Sequence, residues 1–510
     1  RPDGHGLCPS PRLPQRWSHS RRSRQKAVKV GSERVALSLQ RMPIIVAIKH
    51  SGTAAPSFSK AFIAIGLLIA VVSLFFTVPN YSWASSDDSH QSTTAASDSQ
   101  AKPWYKKIGW EWGGHVKARG GISWADEDSF FQPVGAGPFY DGYAEARLTG
   151  KLYFGKWGYF EAHHETILSG GDTRRRLNEL QRLSPSLFTT GLMIPGPLND
   201  DRRLMDLTWT MHEDNQYILY NRLDRLSLTL LPKWGAVTIG RQAVTWGNGL
   251  LFNPMDLFNP FAPTDIERDY KTGDDLVSAQ VSAGTIGTFH FLYVPRRDPM
   301  RGTVQWNHSS LAGKFHVAWG TTEFDFMAAK HYEDAVFGIG STGYLGGAAW
   351  RLDGIWTILN DAKDYYFSLV ANMDYSWVWW GKNFYGFVEF FYSGIGEDTY
   401  AEALFDQDIL ERMARGELFT LGKTYLAAHL RVELHPLFNC YVTVINNLAD
   451  PSGVIQPRAV WDVMQDVQVT IGANVYYGRK GSEYGGIRIP FTPFVARGND
   501  SVFLWVTYYF

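Results

Sequence analysis

Cysteine is nearly missing from this chain. Its 510 residues hold two, Cys8 and Cys440, which is too few for a disulfide framework. An excess of either charge is missing too: 49 Lys and Arg face 50 Asp and Glu, a net of −1. That balance argues against a nucleic-acid partner. Long apolar runs are missing beyond a single one, AFIAIGLLIAVVSLFFTV at 61–78. What the chain does have is aromatic residues (15%, with 19 Trp) and 49 Gly at an ordinary hydrophobic content of 45%. This balance suits a membrane β-barrel, which shows only alternate residues to lipid and keeps its interior polar.

The apolar run reads as the core of a secretory signal. It follows the first methionine, Met42, and precedes Ser82-Trp83-Ala84, a small-x-small cleavage pattern. The expected organisation is an over-extended start at 1–41, a signal peptide at 42–84, a polar periplasmic tether at 85–104 and one barrel domain over 105–510. The competing reading of 61–78 is a single membrane anchor, because the run is near the length that spans. Cleavage would leave Cys440 with no intramolecular partner.

Period-two alternation carries the barrel reading. In WEWGGHVKARGGISW, Trp112, Gly114, Val116, Ala118, Gly120 and Ile122 form one face, and Glu111, His115, Lys117 and Arg119 the other. YAEARLTGKLYF sets Ala144, Ala146, Leu148 and Leu152 against Glu145, Arg147, Thr149 and Lys151. TYLAAHLRVELH sets Leu426, Ala428, Leu430, Val432 and Leu434 against His429, Arg431 and Glu433.

A soluble sandwich also alternates, so loop lengths must decide. Short turns fall at 155–158, 232–235, 283–287, 320–323, 345–347, 381–384, 435–438 and near 464–466. Longer segments lie between them, at 124–139, 170–216, 247–274, 297–311, 395–424 and 479–500, with three tighter connections. Short turns on one side and long loops on the other predict an all-β, transmembrane, antiparallel up-and-down barrel of about 18 strands, or 16 if one short pair is misread. The weakest stretch is AVTIGRQAVTW. There Arg241 shares parity with Val237 and Ile239, so it either faces lipid or is re-aimed by a bulge near Gly240.

The chain ends SVFLWVTYYF. Val502, Leu504, Val506, Tyr508 and Phe510 form an apolar face. This aromatic strand closing on Phe510 resembles the terminal strand of Gram-negative outer-membrane proteins. The resemblance implies that Phe510 and Tyr508 belong to a signal read by the barrel assembly machinery. IGRQAVTWGNGLLFNPMDLFNP (239–260) is similar to a segment of large porin-like families that include alginate-export-like barrels. Alginate exporters are implied to have an arginine-rich pore. Here the inward residues are mixed: Lys117, Arg119, Arg147, Lys151, Arg351 and Arg431 face Glu111, Glu145, Glu161, Glu165, Glu323, Asp353, Glu389 and Glu433. This mixture speaks against a polyanion exporter. The expected pore-lining set is Glu111, Lys117, Arg119, Glu145, Arg147, Lys151, Arg351, Glu389, Arg431 and Glu433.

Segment 248–275 is rich in turn formers and acids. Asp256, Asp265, Glu267, Asp269, Asp274 and Asp275 stand against Arg268 and Lys271. One reading is a constriction loop folded into the lumen, with Asp256, Asp265, Glu267 and Asp269 raising the local cation concentration. The other is a cap on the outer surface. Two loops carry helical spacing: Leu177, Leu180 and Leu183 in 173–183, and Phe405, Ile409 and Met413 in 400–417.

Enzyme signals do not assemble. GIGSTG at 338–343 sits among strand residues and opens no helix. His163 and Glu165 share a strand face while His164 points away, so no metal and no cofactor is implied. The leading expectation is a passive or weakly selective porin for ions or small solutes, embedded in outer-membrane lipid, with a homo-oligomer left open. A non-conducting scaffold or adhesion barrel, and then a barrel enzyme, are the alternatives.

Overall fold

The computed structural model describes residues 108–183, 199–265, 270–360, 364–490 and 492–510. The expected leader and tether lie outside these residues, as do Glu267 and Asp269. Twenty-one strands follow in chain order: β1 (Ile108–Trp124), β2 (Phe139–Phe154), β3 (Gly158–Gly171), β4 (Thr208–Glu213), β5 (Tyr217–Leu230), β6 (Gly235–Gln242) and β7 (Asp274–Ser282). Next come β8 (Thr288–Val294), β9 (Ser310–Trp319), β10 (Thr322–His331), β11 (Asp334–Leu345), β12 (Ala348–Ile358), β13 (Tyr365–Trp379) and β14 (Lys382–Ser393). The last are β15 (Thr424–His435), β16 (Phe438–Asn447), β17 (Ser452–Met464), β18 (Val467–Tyr477), β19 (Ile487–Arg488), β20 (Val495–Ala496) and β21 (Asp500–Tyr509).

Each wall strand pairs antiparallel with its neighbours in sequence, except where β3 skips to β5 and β18 skips to β21. β21 then pairs with β1, from Trp124↔Asp500 to His115↔Tyr509. The ring is therefore closed, with 18 strands. β4 is an extra strand that pairs with the upper part of β5, and β19 and β20 form a small separate ribbon in the last loop. Closure leaves no sheet edge in the wall, which is what a lipid environment demands of strands.

All eight predicted short turns lie on one side. One of the two-residue turns, Trp380-Gly381, joins β13 to β14 with φ of 50° and 67°. Positive φ at both central residues is the two-residue hairpin turn that matches strand twist. The long segments lie on the other side. α1 (Asp172–Leu183) fulfils the first helical expectation. The second divides into α2 (Tyr400–Ala403) and α3 (Gln407–Arg415), with Asp406 capping α3 by accepting from the Ile409 amide at 3.0 Å. Ile409 is buried as its spacing implied, but Phe405 falls in the break and is exposed.

The outward residues form an apolar belt: Leu148, Leu228, Ile239, Phe326, Ile339, Leu352, Val388, Leu430, Val442, Ile471 and Leu504 are all exposed. Trp110, Trp112, Trp157, Trp234, Trp319, Trp379 and Trp380 ring the turn side, and Trp124, Tyr140, Tyr217, Trp356 and Tyr365 the loop side. An apolar band between two aromatic girdles is the outer surface of a transmembrane barrel. Among the described residues no helix is long and apolar enough to cross a membrane; the strands make the crossing.

Candidate functional site: the inward loop and the inner wall

The described residues of the connection from β6 to β7, 243–265 and 270–273, lie inside the barrel. Its first half is held by two wall carboxylates. Asp353 on β12 accepts from the Asn248 amide at 2.6 Å and from Asn248 Nδ2 at 2.7 Å. Glu389 on β14 accepts from three successive amides, Leu250 at 2.6 Å, Leu251 at 2.9 Å and Phe252 at 2.7 Å. Asn372 on β13 donates to both Glu389 and the Asn248 carbonyl, each at 3.1 Å. An isolated carboxylate inside a protein is costly; three backbone donors offset that cost and give the turn a fixed seat.

Apolar packing reinforces the seat. Phe252 stacks on Phe391 at 4.5 Å between ring centres and joins Val370, Tyr425, Ala427, Ile445 and Val454. Trp246, Met255 and Phe258 pack on Leu276, Leu292, Ala312, Met327, Val336 and Ile355. These wall residues face inward, where a simple porin wall would be polar. They are apolar because the loop covers them. Further along, the Thr264 carbonyl accepts from Gln456 on β17 at 2.9 Å, and Tyr270 donates to Glu145 on β2. The loop thus touches the wall from β7 round to β2, and so it crosses the lumen. The cap on the outer surface is overturned.

The acids of this loop do not form an open ring. Asp256 is buried and paired with Lys271 at 2.5 Å. At the start of β7, Asp274 pairs with Arg296 and Asp275 with Arg241, both at 2.8 Å. Asp256 is therefore an internal strut and not a surface met by passing ions, which corrects the cation-ring expectation for it. Asp265 also has a partner.

Arg241 resolves the ambiguity of β6. It is fully buried, not facing lipid. The β5–β6 register has no inserted residue, so the expected bulge is not there; Gly240, just before Arg241, has a φ of +121°. A Cβ there would stand 2.2 Å from the Leu226 carbonyl oxygen. Arg241 bonds Asp275, Asp200 and the carbonyl of Met205, and the Met205 amide donates to Asp275 at 2.7 Å. A second segment, 200–207, is thereby clasped to the end of β6 and the start of β7.

The expected pore-lining residues share the inward parity but differ in access. Lys117, Glu145, Arg147 and Glu389 are buried, so for these four the pore-lining expectation is corrected. Arg147 bonds Glu165 and Asp224 and lies over the Tyr270 ring. Lys117 and Arg119 lie over Trp505 and Phe503. Towards the turn side, Glu111 accepts from Tyr153 at 3.0 Å and Lys151 pairs with Glu161 at 3.5 Å. Arg351 pairs with Asp374, Arg431 lies over Tyr385, and Glu433 accepts from Asn383 at 3.3 Å. Sequence parity found the inner wall but missed Asp353, Asn372 and Gln456 as loop anchors.

Outside the membrane, the loop side is fastened by two carboxylates of opposite character. Lys480 beside Asp128 holds that half-buried carboxyl below its usual range. Burial pushes the Glu483 carboxyl up, although it accepts from the Leu421 amide, Tyr425 and Asn447 at 2.6, 2.6 and 2.7 Å. At the seam, Phe510 and Gly114 exchange backbone hydrogen bonds of 3.1 and 2.9 Å, and Tyr508 points outward with it.

No family model matches this chain, and no characterised protein matches its sequence. Among solved structures it is similar to OccAB1 of Acinetobacter baumannii, at 8% identity over 81% of this chain and 98% of that one, with a TM-score of 0.47. It is also similar to a BenF-like porin from Pseudomonas fluorescens Pf-5, at 10% identity over 79% and 98%, TM-score 0.44. A third is Wzi, a carbohydrate-binding outer-membrane β-barrel involved in group 1 capsule assembly in Escherichia coli, at 9% identity over 77% and 83%, TM-score 0.44.

Proposed function

We propose that this protein is a bacterial outer-membrane porin-like channel that passes ions or small solutes through a lumen narrowed by residues 243–273. The observation that carries the reading is the loop itself, seated across the inside of a closed 18-strand wall on Glu389 and Asp353. A barrel of this strand number is wide enough to leave an aqueous path unless something fills it. The loop sets the size limit. Selectivity is weak, because Asp256 within the loop and Asp274 and Asp275 at its end are neutralised by Lys271, Arg296 and Arg241. The inward strand charges below the loop, of both signs, set what preference there is. No chemistry is performed on the solute. The C-terminal strand serves the assembly machinery.

One observation favours a second reading, a non-conducting scaffold. The loop touches the wall at β12, β14, β17 and β2, so it reaches across the lumen from several directions. Planar-bilayer recording of the refolded protein separates the two. Discrete conductance steps with a reversal potential near zero in a salt gradient are expected. Silence from protein shown to be folded by heat-modifiable migration would leave the scaffold.

A further inference from the structure

A cavity of about 100 Å³ lies on the loop side of the seated turn. The inward loop contributes Phe252, Leu257 and Phe261; the wall contributes Ile355 and Phe391; segment 394–423 closes it with Phe419. Across its floor runs a row of hydroxyls: Thr357 on β12, Ser368 on β13 and Ser393 on β14. Ser368 and Ser393 stand directly opposite each other in the register, and Thr357 is set two residues along from Ile355, the partner of Ser368. All three are nearly fully buried, at 5%, 5% and 1% exposure.

Buried hydroxyls normally find partners. Most polar groups around this cavity have done so: Asp256 pairs with Lys271, His331 with Glu417, and Arg412 with Asp334 and Tyr366. Thr357, Ser368 and Ser393 line the cavity as hydroxyl-bearing residues. One side of the space therefore offers donors and acceptors, and the other offers aromatic and aliphatic surface. A small-molecule site has this character: apolar walls with a few convergent polar groups.

We propose that this cavity binds a small uncharged solute that places a hydroxyl or amide group on the Thr357–Ser368–Ser393 row and an apolar ring or short chain against Phe252, Phe261 and Phe419. Neutrality follows from the wall: each ionisable side chain lining it is already matched within the protein, so an ion would enter without a counter-charge. The size follows from the volume, which is on the scale that takes a single small ring. The site stands whether or not the barrel conducts, because it lies above the seated turn.

Phenol is a suitable probe, and benzoate its charged counterpart. In the refolded full-length barrel, the methyl resonance of Ile355 is followed during titration, which reports on the cavity and is blind to probe held only in micelles. Phenol is expected to shift it saturably, and benzoate at equal concentration is not. Thr357→Val with Ser368→Ala preserves shape and removes two hydroxyls, so the dissociation constant for phenol should rise about tenfold. Three results would overturn the proposal: no saturable shift in the parent protein, unchanged affinity in the folded double variant, or benzoate binding as well as phenol.

Discussion

The carboxylate of Glu389 lies 2.7 Å from the amide nitrogen of Phe252, 137 positions away in sequence. The same side chain takes the two preceding amides, so one residue of the wall fixes the position of the loop that crosses the lumen.

Replacing Glu389 with Ala leaves three amides without their acceptor, at a cost of ~1–3 kcal/mol each if they stay buried. The first half of the loop is expected to leave its seat. Limited proteolysis should then cut within 243–273, and single-channel conductance should rise, while the wall stays heat-modifiable. Glu389→Gln retains one acceptor oxygen and should be milder. An Ala variant as protease-resistant as the parent would show that Phe252 and the apolar contacts hold the loop without Glu389.

Arg241→Met removes the shared partner of two buried carboxylates, Asp200 and Asp275. Breaking such a pair from one side typically costs ~3–5 kcal/mol, because a charge is left buried without compensation. The urea midpoint of the folded barrel should fall. Adding Asp275→Asn should restore part of the loss. If the single and double variants are equally unstable, the damage comes from packing and not from stranded charge.

The two faces of β15 give a paired test. Leu430 is exposed on the outside, and Arg431 lies inside over Tyr385. Leu430→Arg should cost ~2–4 kcal/mol if it sits near the bilayer midplane. Arg431→Leu should be better tolerated in folding and should change ion preference. Equal tolerance in folding assays would mean that Leu430 does not meet lipid.

The wall was legible in the sequence because its physics is local. Alternation at period two places Lys117, Arg147 and Arg431 inside without knowledge of any partner strand, and each short turn announces itself. The loop was only half legible. Its turn formers and acids marked it as unusual, but its seat depends on Asp353 and Glu389, which are remote in sequence and look like ordinary inward acids. Counting charges along 248–275 also misled, since the cations that neutralise Asp274 and Asp275 are Arg296 and Arg241, outside the segment. Arg241 sits at a lipid-parity position for a reason only the tertiary structure reveals: Asp200, Met205 and Asp275 cover it with the register intact.

The seam yields a further expectation. A Cβ on Gly114 would meet the Arg147 carbonyl at 2.1 Å and the Phe510 ring at 2.8 Å. Gly114→Ala should therefore impair closure of the ring. Deleting Phe510 should lower the amount of heat-modifiable barrel in the outer membrane and leave export across the inner membrane intact. Normal insertion of both variants would remove the seam contact from the assembly step.

The pairing of β21 with β1 also governs the order in which this protein can exist. Until the final ten-residue strand slots between β18 and β1, the sheet has two raw margins, each able to bond to another chain. Closing a ring through its most distant neighbours is slow, since the pairing is as non-local as the chain allows. The hazard is one of duration: the capture of β21 by β1 determines how long a half-curled, oily sheet stays open to aggregation. Selection on this strand would then act on speed of capture as much as on the stability of the finished wall.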